Sequence, residues 1–142
     1  SEWSVDQFAY GYRTSVIKTG NQPAVVLSAT FQLQRSTPKE VKGRISSISE
    51  ERQGSQPQGA SLGSMFKNPP GDFAGRLIDQ AGLKGTRVGD AEISLVHGNF
   101  FLNHGNASAA DIADLITVVK DGVKDQFGIE LELEIQFLGN WE

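Results

Sequence analysis

Gly63-Ser64-Met65-Phe66-Lys67-Asn68-Pro69 lies inside a segment, 53–72, that is dense in Gly, Ser, Gln and Pro. A connection that long in a compact chain is usually functional or disordered. Met65 and Phe66 argue for order, because disordered segments are poor in residues that can be buried. Around that apolar pair stand a hydroxyl (Ser64), an ammonium (Lys67) and a carboxamide (Asn68). A site for a polar, anionic small molecule needs these groups. On residue types alone, an ordered surface loop with ordinary turn residues explains them more simply.

The flanking segments set the fold class. Upstream, Val25, Leu27, Ala29, Phe31 and Leu33 alternate with Ser28, Thr30, Gln32 and Gln34, the period of a half-buried strand, after a turn at Asn21-Gln22-Pro23. Thr37, Pro38 and Glu40 then form a capping box with proline in the first helical position. The narrow stripe Val41, Ile45, Ile48 predicts a surface helix lying on a sheet and fading near Arg52. Downstream, Asp72 is placed to cap a helix whose buried face is Phe73, Ala74, Leu77, Ile78 and Ala81, and Gly82 ends it. Residues 86–103 read as short strands: Val88, then Ile93 alternating with Leu95, then Phe100-Phe101-Leu102 after a break at His97-Gly98-Asn99.

Ser108, with Asp111 three residues on, opens the strongest helix. Ile112, Leu115, Ile116, Val119, Val123 and Phe127 keep one face apolar, and Gly128 stops it. A last strand is expected from Ile129, Leu131, Leu133, Ile135 and Phe137 facing inward, with Glu130, Glu132, Glu134 and Gln136 on the other face. The succession predicts an α+β fold, with helices packed on one face of a mixed or antiparallel sheet.

Composition narrows the function. The 142 residues suffice for one real core, and 16 glycines imply substantial loops. Absence of cysteine excludes disulfides and thiolate metal sites, and two histidines give little basis for any metal site. A net charge of −4 argues against a general nucleic-acid binder. No apolar run approaches a membrane span, so neither membrane nor nucleic acid is an expected partner, and a cytoplasmic location is expected. The chain opens Ser-Glu-Trp without Met, as a fragment or processed product would.

Five ordered stretches resemble one family. Gly63 to Pro69 resembles the G-S-x-F-K-N-P signature of the UDP-N-acetylenolpyruvoylglucosamine reductases, the flavoenzymes that make UDP-N-acetylmuramate for peptidoglycan. Tyr12-Arg13-Thr14-Ser15 resembles their Y-R-x-S. Ala74-Gly75-Arg76-Leu77-Ile78 with Ala81-Gly82-Leu83-Lys84-Gly85 resembles A-G-x-L-I-x-x-A-G-L-K-G. Asn103-His104-Gly105-Asn106-Ala107-Ser108-Ala109-Ala110-Asp111 resembles N-x-G-N-A-T-A-A-D, and Gly128 to Ile135 resembles the closing G-I-x-L-E-P-E-V. The resemblance covers nearly the whole chain but only the C-terminal half of the family's usual length. It implies that residues 1–35 are the tail of an FAD-binding domain and 36–142 a substrate-binding domain.

It also implies roles. Glu134 falls on the family's catalytic glutamate, although Leu133 replaces a proline and Gln136 stands where many members have arginine. Ser64 falls on the serine proton donor, and Arg13 on the active-site arginine near flavin and enolpyruvyl carboxylate. Lys67 and Asn68 become candidates for the UDP-sugar diphosphate, with Gln56 and His97 as further substrate contacts. For each residue the plainer alternative is a solvated or turn residue. Gly89-Asp90 departs from the family's Gly-Gly. The implied reaction uses NADPH to reduce FAD, which reduces UDP-N-acetylglucosamine enolpyruvate. No G-x-G-x-x-G follows a strand, so most of the FAD contacts are expected from an absent N-terminal half. A separate chain supplying that half, or self-association, is the expected assembly. The alternatives are a non-catalytic UDP-sugar-binding module and a structural α+β domain.

Overall fold

The computed structural model describes residues 1–20 and 22–140. Asn21, the first residue of the expected turn, lies outside them. The chain divides into two units, Ser1–Val41 and Lys42–Glu142.

In the first unit a 3-10 turn, Val5–Phe8, is closed by the Ser4 amide donating to Gln7 Oε1 at 2.7 Å. Phe8 packs edge-on to Trp3 and stacks on Tyr10, with centroids 5.1 and 5.3 Å apart. The main chain then reverses through paired Gly11 and Thr14, with Tyr12 and Arg13 at the tip. The strand expected over 25–33 is absent: Val25, Leu27, Phe31 and Leu33 are exposed, and no described segment pairs with them. Alternation specifies a strand only where a neighbour supplies both hydrogen bonds and a face to bury.

Helix α1 (Pro38–Ser55) begins where the sequence predicts. The Glu40 amide donates to Thr37 Oγ1 at 3.3 Å and Glu40 Oε2 accepts from the Thr37 amide at 3.0 Å. The Thr37 amide first, then the Ser36 and Thr37 hydroxyls, hold the Glu40 carboxyl below its ordinary range. The helix does not lie on the sheet: it buries no residue, and Val41, Ile45 and Ile48 are all exposed.

The second unit is built on an antiparallel sheet of β1 (Ala60–Ser64), β2 (Arg87–Val88), β3 (Ala91–Ile93) and β4 (Phe100–Asn103), in the order β1-β4-β3-β2. The expectation of one long ordered loop over 53–72 is therefore corrected: its middle pairs with β4 as an edge strand. Strand β3 ends at Ile93, so Leu95 does not continue its alternation and is exposed. Gly89, at φ +53, and Asp90 turn β2 into β3 in a two-residue hairpin. The Asp90 side chain accepts from the Asn106 amide at 3.1 Å, and its carbonyl from the His104 amide at 2.9 Å. Asp90 thereby ties the hairpin to the loop leading into helix α3 (Ala109–Phe127).

Helix α3 has the predicted bounds. Ser108 Oγ accepts from the Asp111 amide, Asp111 returns the bond, and Gly128 closes the end at φ +68. Leu115, Ile116, Val119 and Val123 face the sheet and helix α2 (Ala74–Gln80). Together with Met65, Phe66, Leu77, Ile78, Ala91, Ile93 and Phe101 they form one core. Each such large side chain contributes roughly 1.5–3 kcal/mol by burial.

Asp72 does not cap α2 as expected. Phe73 occupies that position and is exposed, while Asp72 accepts from the Phe73 amide and pairs with Arg76. The Arg76 hydrogen bond, more than the Phe73 amide, holds the Asp72 carboxyl below the usual range. The last predicted strand is likewise reduced to a single bridge, Phe66↔Leu133, although Leu131 is buried and Ile129, Leu133 and Ile135 pack on the core as their alternation requires. Phe137 is 39% exposed, against expectation.

Candidate active site

Three segments meet at the motif. On one side, β1 pairs Ser64 with Phe100, and the Met65 amide donates to the Asn99 carbonyl at 2.9 Å. On the other side, the Lys67 amide donates to the Glu132 carbonyl at 2.8 Å and the Glu134 amide to the Met65 carbonyl at 2.9 Å. Residues 65–67 thus run between 99–100 and 132–134, with Phe66 in a single bridge to Leu133. Met65 and Phe66 are fully buried, with chain on both sides of this segment. Ser64 and Glu134, both half-buried, are carried at its margin.

The sequence-predicted residues distribute as follows. Ser64, Lys67 and Glu134 are brought together by this weave. The Lys67 ammonium, largely buried, pairs with the exposed carboxylate of Glu132. Asn68 Oδ1 accepts from the Ala74 amide at 3.0 Å, satisfying a first-turn donor of α2. Gln56 follows α1, its amide donating to the Arg52 carbonyl at 2.8 Å. Arg13 is in the first unit, at φ +56 with its guanidinium 5.5 Å from the Tyr12 ring centre.

His97 belongs to a tight turn. Its Nδ1 accepts from the Asn99 amide at 3.1 Å, its own amide donates to Ser94 Oγ at 3.3 Å, and its ring meets Phe100 edge-on. Burial, and secondly the Lys84 ammonium, hold its imidazole below the usual histidine range. Asn99 was not singled out from sequence. It is buried, and its carboxamide bonds both the amide and the carbonyl of Phe66. The available signal was an Asn directly before an apolar run, where a turn residue is the ordinary reading.

A cavity of about 290 Å³ lies between β1, Phe101 and the start of α3, lined by Met65 and Ile112 among others. Ser64, Lys67 and Glu134 do not line it. Among the described residues no cluster of His, Asp or Glu could hold a metal ion, and no helix is long and apolar enough to cross a membrane.

Residues 56–138 match the family described as UDP-N-acetylenolpyruvoylglucosamine reductase, C-terminal domain. The chain belongs to this family. Curated proteins named UDP-N-acetylenolpyruvoylglucosamine reductase are similar: that of Chloroflexus aurantiacus is 52% identical over 96% of this chain and 47% of its own length, and that of Clostridium novyi 46% identical over 96% and 44%. The crystal structure of the reductase (MurB) from Thermus caldophilus aligns with a TM-score of 0.78 at 40% identity, covering 94% of this chain and 47% of the other. The chain spans about half the length of the family members it matches. Ser64 directly precedes Met65, Glu134 lies on the segment bonded to Met65, and Lys67 and Asn68 are engaged by Glu132 and the start of α2.

Proposed function

We propose that this chain is the C-terminal portion of an FAD- and NADPH-dependent reductase that converts UDP-N-acetylglucosamine enolpyruvate to UDP-N-acetylmuramate in peptidoglycan synthesis. Residues 1–35 are then the tail of its FAD-binding domain and 36–142 its substrate-binding domain. The observation that carries this reading is the Phe66–Leu133 bridge, which sets the Ser64 stretch beside the Glu134 stretch.

The residues fit the flavin only at an edge. Arg13 is an exposed, permanently charged donor, suited to a carboxylate or to a flavin margin. Among the described residues no glycine-rich cradle follows a strand, so the diphosphate of FAD is assigned to a half outside this chain. When bound, the flavin supplies hydride to the enolpyruvyl double bond, and NADPH renews it.

The chain's own work is electrostatic and protonic. Negative charge grows on the substrate carboxylate during reduction and needs fixed donors. Arg13 is the candidate to balance it by charge, Glu134 to donate a hydrogen bond to it as a carboxylic acid, and the Ser64 hydroxyl to deliver a proton to the neighbouring carbon. Buried Met65 and Phe66 exclude water behind that hydroxyl. Lys67 and Asn68 serve the diphosphate, with Gln56 and His97 as outer substrate contacts.

The test is calorimetric titration of the chain, and of Ser64→Ala and Lys67→Ala, with the enolpyruvyl sugar nucleotide, with FAD in a parallel run. Saturable binding that Lys67→Ala weakens supports a substrate site in this half. A reductase-length protein ending in this chain that neither binds the nucleotide nor oxidises NADPH with it would sink the reading.

A further inference from the structure

Asn99 is 3% exposed, and its carboxamide faces the backbone of Phe66. Oδ1 accepts from the Phe66 amide at 2.9 Å, and Nδ2 donates to the Phe66 carbonyl at 2.8 Å. A primary amide carries acceptor and donor side by side, as a peptide unit does. The side chain therefore stands in for a neighbouring strand.

A substitute is needed at that point. The pairing of β1 with β4 slips between Ser61 and Ser64 and reaches only Ser64↔Phe100. The Met65 amide still finds main chain, the Asn99 carbonyl; at Phe66 the Asn99 side chain takes over. On the opposite edge, 65–67 holds 132–134 through two backbone bonds. Asn99 is itself anchored: its amide donates to His97 Nδ1, and the His97 amide to Oγ of fully buried Ser94.

We infer that Asn99 is a positioning residue, which locks the register of 65–67 and through it the placement of Ser64 against Glu134. The inference rests on the proposed roles of those two residues. Removing the carboxamide strips a buried amide and a buried carbonyl of their partners together, a costly loss localised at Phe66.

The test compares Asn99→Leu, of similar volume but without polar atoms, with Val119→Ala, a core change on α3. In this chain, amide hydrogen exchange in Asn99→Leu is expected to rise roughly tenfold or more at Phe66, Lys67 and Glu134, while Val119 and Val123 stay at wild-type rates. Val119→Ala is expected to raise all of them together. In a reductase-length protein ending in this chain, Asn99→Leu lowers kcat about tenfold with KM for NADPH unchanged, and Val119→Ala leaves kcat as it was. Asn99→Ser provides the same comparison at smaller amplitude if the leucine variant does not fold. Uniform exchange changes, or an unaltered kcat, would overturn the inference. Failure of the wild-type protein to turn over would instead strike the functional reading, leaving the exchange pattern to judge the register.

Discussion

The amide of Glu134 donates to the carbonyl of Met65, the residue after Ser64, at 2.9 Å. This bond and that from the Lys67 amide to the Glu132 carbonyl link the two segments that carry Ser64 and Glu134.

Register makes this bond selective for where proline is allowed. The bonds from Lys67 to Glu132 and from Glu134 to Met65 bracket the Phe66–Leu133 pair, so the Leu133 amide is directed away from Phe66. Leu133→Pro, the residue the family carries there, is expected to keep the fold and shift stability by less than about 1.5 kcal/mol. Glu134→Pro removes the donor and is expected to cost about 1–3 kcal/mol. Urea denaturation of both variants checks this; equal losses would contradict the register.

Asn68 is expected to matter before any ligand arrives. Its carboxamide satisfies the Ala74 amide, so Asn68→Ala should lower unfolding stability by about 0.5–2 kcal/mol. Thermal unfolding without ligand reads this directly. An unchanged midpoint would mean that the first turn of α2 does not need the bond.

On the proposed reading, Glu132 competes for the cation that Lys67 would offer a diphosphate. Its carboxylate is exposed while Lys67 is largely buried, and exposed partners contribute little to stability. Glu132→Gln is expected to leave the melting temperature nearly unchanged and to tighten binding of UDP-N-acetylglucosamine enolpyruvate severalfold. Calorimetry decides; weaker binding would show that Glu132 orients Lys67 rather than occupying it.

His97 gives a pH dependence of definite sign. Its folded pKa is depressed, by burial first and by Lys84 second, so the folded chain favours the neutral ring. The unfolded chain takes up the proton first as pH falls below about 6.5. The stability contribution is full above that value and is lost as pH falls toward the folded pKa. Protonation also removes the acceptor that Nδ1 offers to the Asn99 amide. Urea midpoints between pH 7.5 and 5 should fall, and His97→Gln should flatten that part of the curve.

Legibility followed local physics. The α3 cap, apolar stripe and glycine stop were all readable because each is settled within a few residues. The capping box of α1 was readable for the same reason, but its packing was not, since a stripe cannot say whether a partner is present. The alternation at 25–33 failed likewise, for want of a neighbour. Strand β1 escaped notice because Ala-Ser-Leu-Gly-Ser has weak strand preference and is held by β4, some 40 residues away. At the candidate site the motif residues were visible and their partners were not. Glu132 closing on Lys67, and Asn99 standing in for a strand, depend on contacts that sequence spacing does not encode.

Helix α1 carries Lys39, Lys42, Arg44 and Arg52 on a surface with no buried residue. Eighteen residues of helix with two internal glycines and no packed face are marginal on their own in water. Trypsin should therefore nick there long before it enters the sheet. The surviving fragment would start near Gln53, close to where the family match begins, and would retain the Glu134–Met65 backbone bond while no longer being joined to Arg13.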